Sequence, residues 1–210
     1  MNEVNLLDQM PQPEYRLVGN RTIHNRITAS YRGREFFDGD RADGYGGMVD
    51  DGRWGDVADR MIEHYRLSRG SRVMQIHCEK GYLLNELEGR EMRVLGIEPS
   101  AYARRHCGVD TKPRPEANTD FDLVIAIGVV YTGNLADAIQ HLREIERRGF
   151  NAFVTLGAYE TEDDLRLLRQ WTLLGTTILK PDEWREVMRH AGYTGDYSFV
   201  TAKTLRLRDA

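Results

Sequence analysis

A short polar turn between two predicted strands carries residue types suited to binding a charged ligand. The turn is His77-Cys78-Glu79-Lys80-Gly81, between an apolar run at 73–76 and a predicted helix that begins at Tyr82. Helix N-termini present free N–H groups to anions. A second apolar run, 94–97, ends at Glu98, whose carboxylate could accept hydrogen bonds from both hydroxyls of a ribose. The pattern predicts half of a mononucleotide-binding unit, with its ligand over the carboxyl ends of the strands.

Alternating helices and strands in the rest of the chain would position this turn. An amphipathic helix is predicted over 56–65, before the first strand, and strongly apolar strands are predicted over 121–127 and 152–156. Helix starts are predicted at the capping residues Ser100, Asn134 and Thr161 and at Pro181. Two short strands are predicted at 197–200 and 204–207. This order predicts an α/β fold with a mostly parallel sheet between layers of helices.

The order and spacing of these segments resemble the class I S-adenosylmethionine-dependent methyltransferases. In that family the first turn, motif I, usually has a sequence like V-L-D-x-G-C-G-x-G, and the next strand ends in an acid. Residues 121–125 resemble the fourth strand, 142–145 the following helix, and 182–184 with 191–193 the late helix and turn. The resemblance implies a Rossmann-like three-layer sandwich, whose seven-stranded sheet is mostly parallel with an antiparallel last strand. It also implies S-adenosylmethionine as cofactor.

Motif I of this chain is degenerate. Gln75 stands where the family has Asp, and His77 and Glu79 stand where it has glycines. A Cβ atom at these positions disfavours positive φ and obstructs close approach of the backbone to a ligand. Glu79 also adds negative charge near the expected position of the cofactor's methionine carboxylate, although the sulfonium and amino groups are cationic.

The resemblance and the strand-end positions together give a set of candidate site residues. Candidate cofactor contacts are Gln75, His77, Cys78, Glu79, Gly81, Glu98, Pro99 and Ile127. Because a sulfonium is already activated, catalysis requires positioning of the acceptor, its deprotonation where needed, and exclusion of water. Candidates for positioning or base chemistry are Tyr131, His24 and Tyr45, whereas His141 lies beside core positions of a helix and is predicted to be structural. Candidate acceptor contacts are Tyr45, Arg53, Tyr131 and Tyr159, of which Arg53 could hold a phosphate or carboxylate.

The chain is predicted to divide into an N-terminal arm with a lid-like loop, 1–54, and a methyltransferase-like Rossmann domain, 55–210. Residues 35–54 combine glycines, acids and aromatics, which predicts an irregular loop. Two interpretations of this loop stay open: a surface loop held by its aromatic side chains, or an active-site lid that excludes water.

The segment between the helix ending near Arg105 and the strand at 121 is short and contains Pro113 and Pro115. A methyltransferase usually has a further helix here. We predict that this helix is missing or reduced to a turn, and that the adenine side of the pocket is abbreviated.

The dipeptide His-Cys occurs at 77–78 and again at 106–107, and these side chains could together ligate a metal ion. The first pair follows the carboxyl end of a strand, whereas the second ends a helix that runs back along the sheet. We therefore expect the two pairs at opposite edges of the sheet, and no metal site.

Composition limits the classes of partner. The chain has 29 Lys and Arg against 33 Asp and Glu, a net charge of −4, which argues against a nucleic acid or an anionic membrane as partner. No apolar run approaches the roughly 20 residues that cross a bilayer, and the start lacks a signal-peptide pattern. Two cysteines give no disulfide framework. We expect a cytoplasmic protein.

The leading hypothesis is an enzyme of biosynthesis that transfers a methyl group from S-adenosylmethionine to a small-molecule or sugar-like acceptor. One alternative is a catalytically inactive, methyltransferase-like scaffold or partner subunit, which binds no cofactor and assembles with its own copies or another protein. The degenerate motif and the missing helix argue for this alternative. A further alternative is a binder of a different nucleotide.

Overall fold

Two parallel sheets organise the computed structural model, which describes residues 1–8, 10–19, 21–115 and 120–210. The strands are β1 (Arg16–Val18), β2 (Arg72–Ile76), β3 (Arg93–Ile97), β4 (Thr111–Lys112), β5 (Phe121–Ala126), β6 (Gly149–Gly157), β7 (Asp196–Val200) and β8 (Leu207–Asp209). The large sheet has the order β4-β3-β2-β5-β6-β7, and all its neighbouring strands are parallel. The small sheet pairs β1 with β8, also in parallel.

Helices cover both faces of the large sheet. They are α1 (Ile23–Ser30), α2 (Arg34–Asp38), α3 (Gly55–Tyr65), α4 (Tyr82–Gly89), α5 (Ala101–Arg105), α6 (Leu135–Arg148), α7 (Glu162–Trp171) and α8 (Pro181–Ala191). Leu123 and Ile125 of β5 pack with buried residues of α3 and α4, whereas Val124 and Ala126 pack with α6 and α8. Successive strand residues point to opposite faces, so β5 contributes to both cores. The three-layer α/β sandwich is confirmed.

The structure corrects the strand count and the direction of the last strand. The large sheet has six described strands rather than seven, and β7 runs parallel to β6 because α8 carries the chain back between them. The strand predicted over 204–207 is largely replaced by turns. Leu205 N donates to Thr201 O at 3.0 Å, and Leu207 N to Ala202 O at 2.9 Å. These turns direct β8 away from the large sheet, where it pairs with β1.

The N-terminal segment 21–48 packs over the carboxyl ends of β2 and β3. Phe36 and Phe37 of α2 are buried with Ala29 and with Ala103 of α5. Ser100 Oγ, which follows β3, donates a hydrogen bond to Arg32 O at 2.6 Å. The loop expected over 35–54 thus begins with α2 and continues as turns. The division of the chain near residue 54 stays a prediction.

Several local predictions hold. Ser100, Asn134 and Thr161 cap α5, α6 and α7, and Gly192 ends α8 in a left-handed conformation. The abbreviated segment contains the two-residue strand β4, but residues 116–119 lie outside the described ranges, so the missing helix stays a prediction. Along the described ranges, none of the helices has the length and apolar character needed to cross a lipid bilayer.

Candidate functional site

A cavity of about 620 Å³ lies at the carboxyl ends of β2 and β5. From β2 the chain proceeds outward through β3 to β4, and from β5 it proceeds in the other direction through β6 to β7. Ligands of open α/β sheets bind at such a reversal point. His77 and Glu79 line the cavity after β2, and Ile127 and Gly128 line it after β5. The topology and the cavity therefore agree on the position of the site.

The turn after β2 has a glycine-like backbone at two residues that are not glycine, His77 and Glu79. The φ angles of His77, Glu79 and Gly81 are 52°, 58° and 76°. Each L residue in this left-handed region costs roughly 1–2 kcal/mol. Glu79 N donates to Glu98 Oε2 at 2.9 Å, and Cys78 N to Ile97 O at 3.2 Å, so the end of β3 holds the turn in place.

Glu98 is fully buried and already hydrogen-bonded within the protein. Its Oε1 accepts a hydrogen bond from Ser100 N at 2.8 Å, and its Oε2 accepts the one from Glu79 N. Its side chain lies behind the cavity wall rather than in it. A contact between Glu98 and a ribose stays a prediction, which requires the neighbours of this carboxylate to move.

Arg32 is a site residue that the sequence analysis missed. Its Nη2 lies 3.6 Å from Glu98 Oε2 and 3.7 Å from Glu79 Oε1, and its guanidinium stacks 5.2 Å from the centre of the Phe36 ring. Both its Nε and Nη2 atoms are buried and make no hydrogen bond with the described residues. Because unsatisfied buried donors cost about 1–3 kcal/mol each, these atoms are suited to an acceptor group supplied by a ligand.

Glu79 and Tyr45 form a short hydrogen bond at the cavity wall, with 2.5 Å between the phenol oxygen and Oε1. Burial raises the pKa of Glu79 to about 7, against the opposing effects of Arg32 and of this hydrogen bond. Burial and the Glu79 charge also raise the pKa of Tyr45, and they raise the pKa of Tyr131 to about 12. The site thus has a carboxyl group that titrates near neutral pH beside two phenols that stay protonated there.

The amide oxygen of Gln75 is a hydrogen-bond acceptor that has no donor among the described residues. The side chain is 6% exposed and lines the cavity, and its Oε1 is buried without a hydrogen-bond partner in the described ranges. Burying an amide oxygen without a partner destabilises the folded chain. A ligand that donates a hydrogen bond would satisfy it.

His77 also lines the cavity. Burial, together with the charge of Arg32, lowers the pKa of His77 to about 4, so the ring is neutral at pH 7. A neutral ring of this kind can accept as well as donate a hydrogen bond.

The two cysteines lie together, which corrects the prediction that the two His-Cys pairs are at opposite edges of the sheet. The Cys78 and Cys107 thiols are neighbours, and their interaction raises the pKa of Cys78 and lowers that of Cys107. The helix α5 has only five residues, about 7.5 Å of rise, which is too short to carry the chain across the sheet. No cluster of three or more metal-binding side chains occurs among the described residues.

An ion pair joins the turn to the N-terminal segment. Lys80 Nζ donates to both carboxylate oxygens of Asp38, at 2.6 and 2.8 Å, and to Met48 O at 2.8 Å. Burial alone would raise the pKa of Asp38, but hydrogen bonds from Lys80 and from the Tyr102 hydroxyl outweigh it and lower the pKa to about 2. These contacts hold the segment that closes the cavity.

The structure brings most of the predicted site residues together. Those that line the cavity are Gln75, His77, Cys78, Glu79, Ile127, Tyr45, Arg53 and Tyr131. Those that lie outside its wall are His24, Gly81, Glu98, Pro99 and Tyr159. His24 is exposed on α1, and Tyr159 packs instead beside α7 with Lys180 Nζ 5.9 Å from its ring centre. The roles of all these residues stay predictions.

The sequence analysis also missed three arginines of the cavity wall, Arg16, Arg21 and Arg41. A signal was present, because six arginines fall between positions 16 and 41 and no lysine precedes Lys80. The pairing of β1 with β8, which brings Arg16 to the site, has no comparable signal.

No protein-family model matches the chain, and no curated protein matches its sequence. Solved structures do match. The YcgJ protein from Bacillus subtilis aligns over 64% of this chain and 66% of its own, with 13% identity and a TM-score of 0.53. A candidate methyltransferase from Bacillus halodurans aligns over 64% and 68%, with 12% identity and a TM-score of 0.52. The chain has a class I methyltransferase fold.

A further solved structure is a candidate methyltransferase from an antibiotic biosynthesis pathway of Anabaena variabilis. It aligns over 64% of this chain and 60% of its own, with 18% identity and a TM-score of 0.48. This methyltransferase-like chain therefore spans about 60% of the length of that protein. At such low identities, likeness establishes the fold and leaves the activity to the chemistry of the site.

Proposed function

We propose that this chain binds S-adenosylmethionine and transfers its methyl group to a small-molecule acceptor, which includes sugar-like molecules. The observation that carries the proposal is the left-handed backbone of His77 and Glu79. A conformation that costs free energy at two L residues, at the reversal point of the sheet, is typical of a functional turn. The turn thereby has a glycine-like backbone at the two positions, 77 and 79, where motif I usually has glycines.

The side chains at the cavity fit the charges of this cofactor. When bound, S-adenosylmethionine supplies a methyl group activated by a sulfonium. Arg32, with its unsatisfied buried donors, suits the methionine carboxylate, and Gln75 Oε1 suits the ammonium group. Glu79, when ionised, offsets the positive charges of the ammonium and sulfonium. The cavity volume lies within the usual range of about 300–1,000 Å³ for small-molecule sites.

Glu79, Tyr45 and Tyr131 suit the acceptor chemistry. The two phenols are protonated at neutral pH and can donate a hydrogen bond that orients the acceptor. Among the described residues of the cavity wall, Glu79 is the one carboxyl group, and its pKa near 7 suits the removal of a proton from the acceptor. We assign it as the candidate base.

A second candidate function is an inactive scaffold or a partner subunit. One observation favours it: Glu98 is fully buried and both its oxygens accept backbone hydrogen bonds. If Arg32 and Glu79 keep their places beside it, the ribose loses its expected acceptor.

Calorimetric titration with S-adenosylmethionine and S-adenosylhomocysteine distinguishes the two functions. We expect micromolar dissociation constants, about −8 kcal/mol. Gln75→Leu keeps the approximate size of the side chain and removes its acceptor oxygen. This variant should bind S-adenosylmethionine about tenfold more weakly. Gln140→Leu, at an exposed position of α6, is the matched control. An absence of heat at millimolar ligand, from chain shown to be folded, would overturn the proposal and favour the scaffold.

A further inference from the structure

Three arginines from separate parts of the first 41 residues line the cavity together. Arg16 belongs to β1, Arg21 precedes α1, and Arg41 follows α2. We call Arg16, Arg21 and Arg41 the arginine wall. The candidate cofactor contacts His77 and Glu79 line the same cavity, so the wall faces a space shared with the proposed methyl donor.

Neutral oxygens are the partners of the arginine wall. Arg16 donates to Leu205 O at 2.7 Å and to Gln12 Oε1 at 2.6 Å. Arg41 Nη1 donates to Gly44 O at 2.6 Å, and Arg21 Nη2 lies 3.5 Å from Arg41 O. Over the described ranges, none of the three forms an ion pair with a carboxylate, so their charges are not neutralised by the protein.

The other two arginines of the cavity have acidic neighbours. Arg53 forms a bidentate ion pair with Asp51, and Arg32 lies within 3.7 Å of Glu79. Glu79 is the one acid of the described cavity wall and lies on the side of Arg32. The positive charge of the arginine wall is therefore an excess, in a chain whose net charge is −4.

The wall arginines also repel one another. Burial and the neighbouring charge of Arg41 lower the pKa of Arg21 to about 10, and the same two causes lower that of Arg16. Both guanidinium groups remain charged at neutral pH. Holding like charges together in a half-buried place destabilises the fold unless a counter-ion relieves it.

From this arrangement we propose that the arginine wall binds a polyanionic part of the methyl acceptor, carrying at least two negative charges on phosphate or carboxylate groups. Guanidinium forks match both groups through paired hydrogen bonds, and three of them suit a ligand with more than one charge. Trp171, stacked under Arg21 at 5.7 Å, adds an aromatic surface beside the anion. The assignment to the acceptor rests on the proposed function, whereas the anion site itself does not.

Inorganic pyrophosphate and citrate are the probes, titrated calorimetrically into the full chain in 50 mM salt. We expect the better of the two to bind with a measurable heat, and to bind about tenfold more weakly to Arg21→Gln and to Arg41→Gln. Tighter binding of pyrophosphate than of citrate indicates a phosphorylated acceptor, and the reverse order indicates a polycarboxylate. Arg93→Gln, at an exposed position of β3 away from the cavity, is the matched control and should bind as the unaltered chain does.

Salt dependence of the unaltered chain tests the site even where a variant fails to fold. Raising the salt concentration tenfold should weaken binding of the probe several-fold, because screening reduces the attraction between charges. The proposal is overturned if neither probe binds or if the affinity for the probe does not change with salt concentration. It is also overturned if Arg21→Gln and Arg41→Gln bind the probe as well as Arg93→Gln does.

A parallel titration with S-adenosylhomocysteine separates this inference from the proposed function. We expect Arg21→Gln and Arg41→Gln to keep its affinity within about twofold, since the wall is assigned to the acceptor. Probe binding without S-adenosylhomocysteine binding supports the anion site and overturns methyl transfer. Binding of S-adenosylhomocysteine without either probe overturns the anion site and leaves the proposed function standing.

Discussion

At the scale of single residues, the turn after β2 combines strain with unusual titration. His77 and Glu79 hold positive φ, and Glu79 has a pKa near 7 beside the Tyr45 hydroxyl. Sequence alone indicated that glycines are replaced at positions 77 and 79, and that Cβ atoms there disfavour the glycine-like backbone. The structure keeps that backbone through hydrogen bonds from the turn to Glu98 and Ile97.

The strain at His77 can be measured by comparing two variants that both remove the ring. His77→Gly should be about 1 kcal/mol more stable than His77→Ala, because glycine adopts positive φ without a steric penalty. Urea denaturation gives both free energies of unfolding. At the exposed helical position Glu63 the order should reverse, with alanine about 1 kcal/mol more stable than glycine. Equal stability of the two His77 variants would refute the strain.

Glu79 should make stability fall as pH rises. Its pKa is 4.5 in the unfolded chain and about 7 when folded, so between these values the folded chain binds more protons. Stability contributed by the protonated group is present below about pH 4.5 and is lost as pH rises through 7. Relative to Glu79→Gln, the unaltered chain should lose about 1–3 kcal/mol from pH 5 to pH 8, measured by urea denaturation.

Glu63→Gln, which alters an exposed carboxyl group on α3, is the control for this pH experiment. Its stability difference from the unaltered chain should stay nearly constant between pH 5 and 8. A constant difference for Glu79→Gln as well would show that Glu79 titrates normally.

At the scale of elements, α2 and the turns after it close the cavity through contacts with α5 and with the turn after β2. Lys80 is 8% exposed and Asp38 is 25% exposed, counting side chains only, and Tyr102 of α5 also donates to Asp38. The two interpretations of the loop over 35–54 are compatible here, since Phe36 and Phe37 are buried while the exposed Tyr45 lines the cavity.

Removing one member of the Lys80–Asp38 pair should be strongly destabilising. We expect Lys80→Met to lower the free energy of unfolding by about 3 kcal/mol, because it leaves the Asp38 carboxylate without its cation. The double variant Lys80→Met/Asp38→Asn should recover part of this loss. Lys203→Met, at an exposed lysine, is the matched control for urea denaturation. A loss no greater than that of the control would show that the pair contributes little.

At the scale of the whole molecule, short sequence patterns predicted the helices and most strands. They did not predict which segments distant in sequence pair with each other. The caps at Ser100, Asn134 and Thr161 depend on residues three positions apart, so they can be predicted from the sequence. The pairing of β1 with β8 joins three-residue strands from opposite ends of the sequence, and nothing in either strand specifies its partner. The same holds for Arg32, whose place beside Glu98 depends on tertiary packing.

The β1–β8 sheet should control the order of the N-terminal arm. Leu207→Ala removes a buried side chain that packs with Val18 of β1, and we expect it to speed trypsin cleavage after Arg21. Val187→Ala, in the core cluster of α6 and α8, is the control and should leave that cleavage rate nearly unchanged. Equal cleavage rates in both variants would contradict a role of the sheet in holding the arm.

The parallel pairing of β1 with β8 also sets the order in which the molecule is completed during synthesis. Arg16 Nη1 contacts Leu205 O, 189 residues further along the chain, so a ribosome must release the late segment before this contact forms. The six-stranded sheet can assemble progressively as its βα units emerge, since domains fold largely in the order of synthesis. Residues 16–18 thus wait for partners that are made at least 189 residues later, and a nascent chain halted before β8 would have a Rossmann sheet without its Arg16 contact.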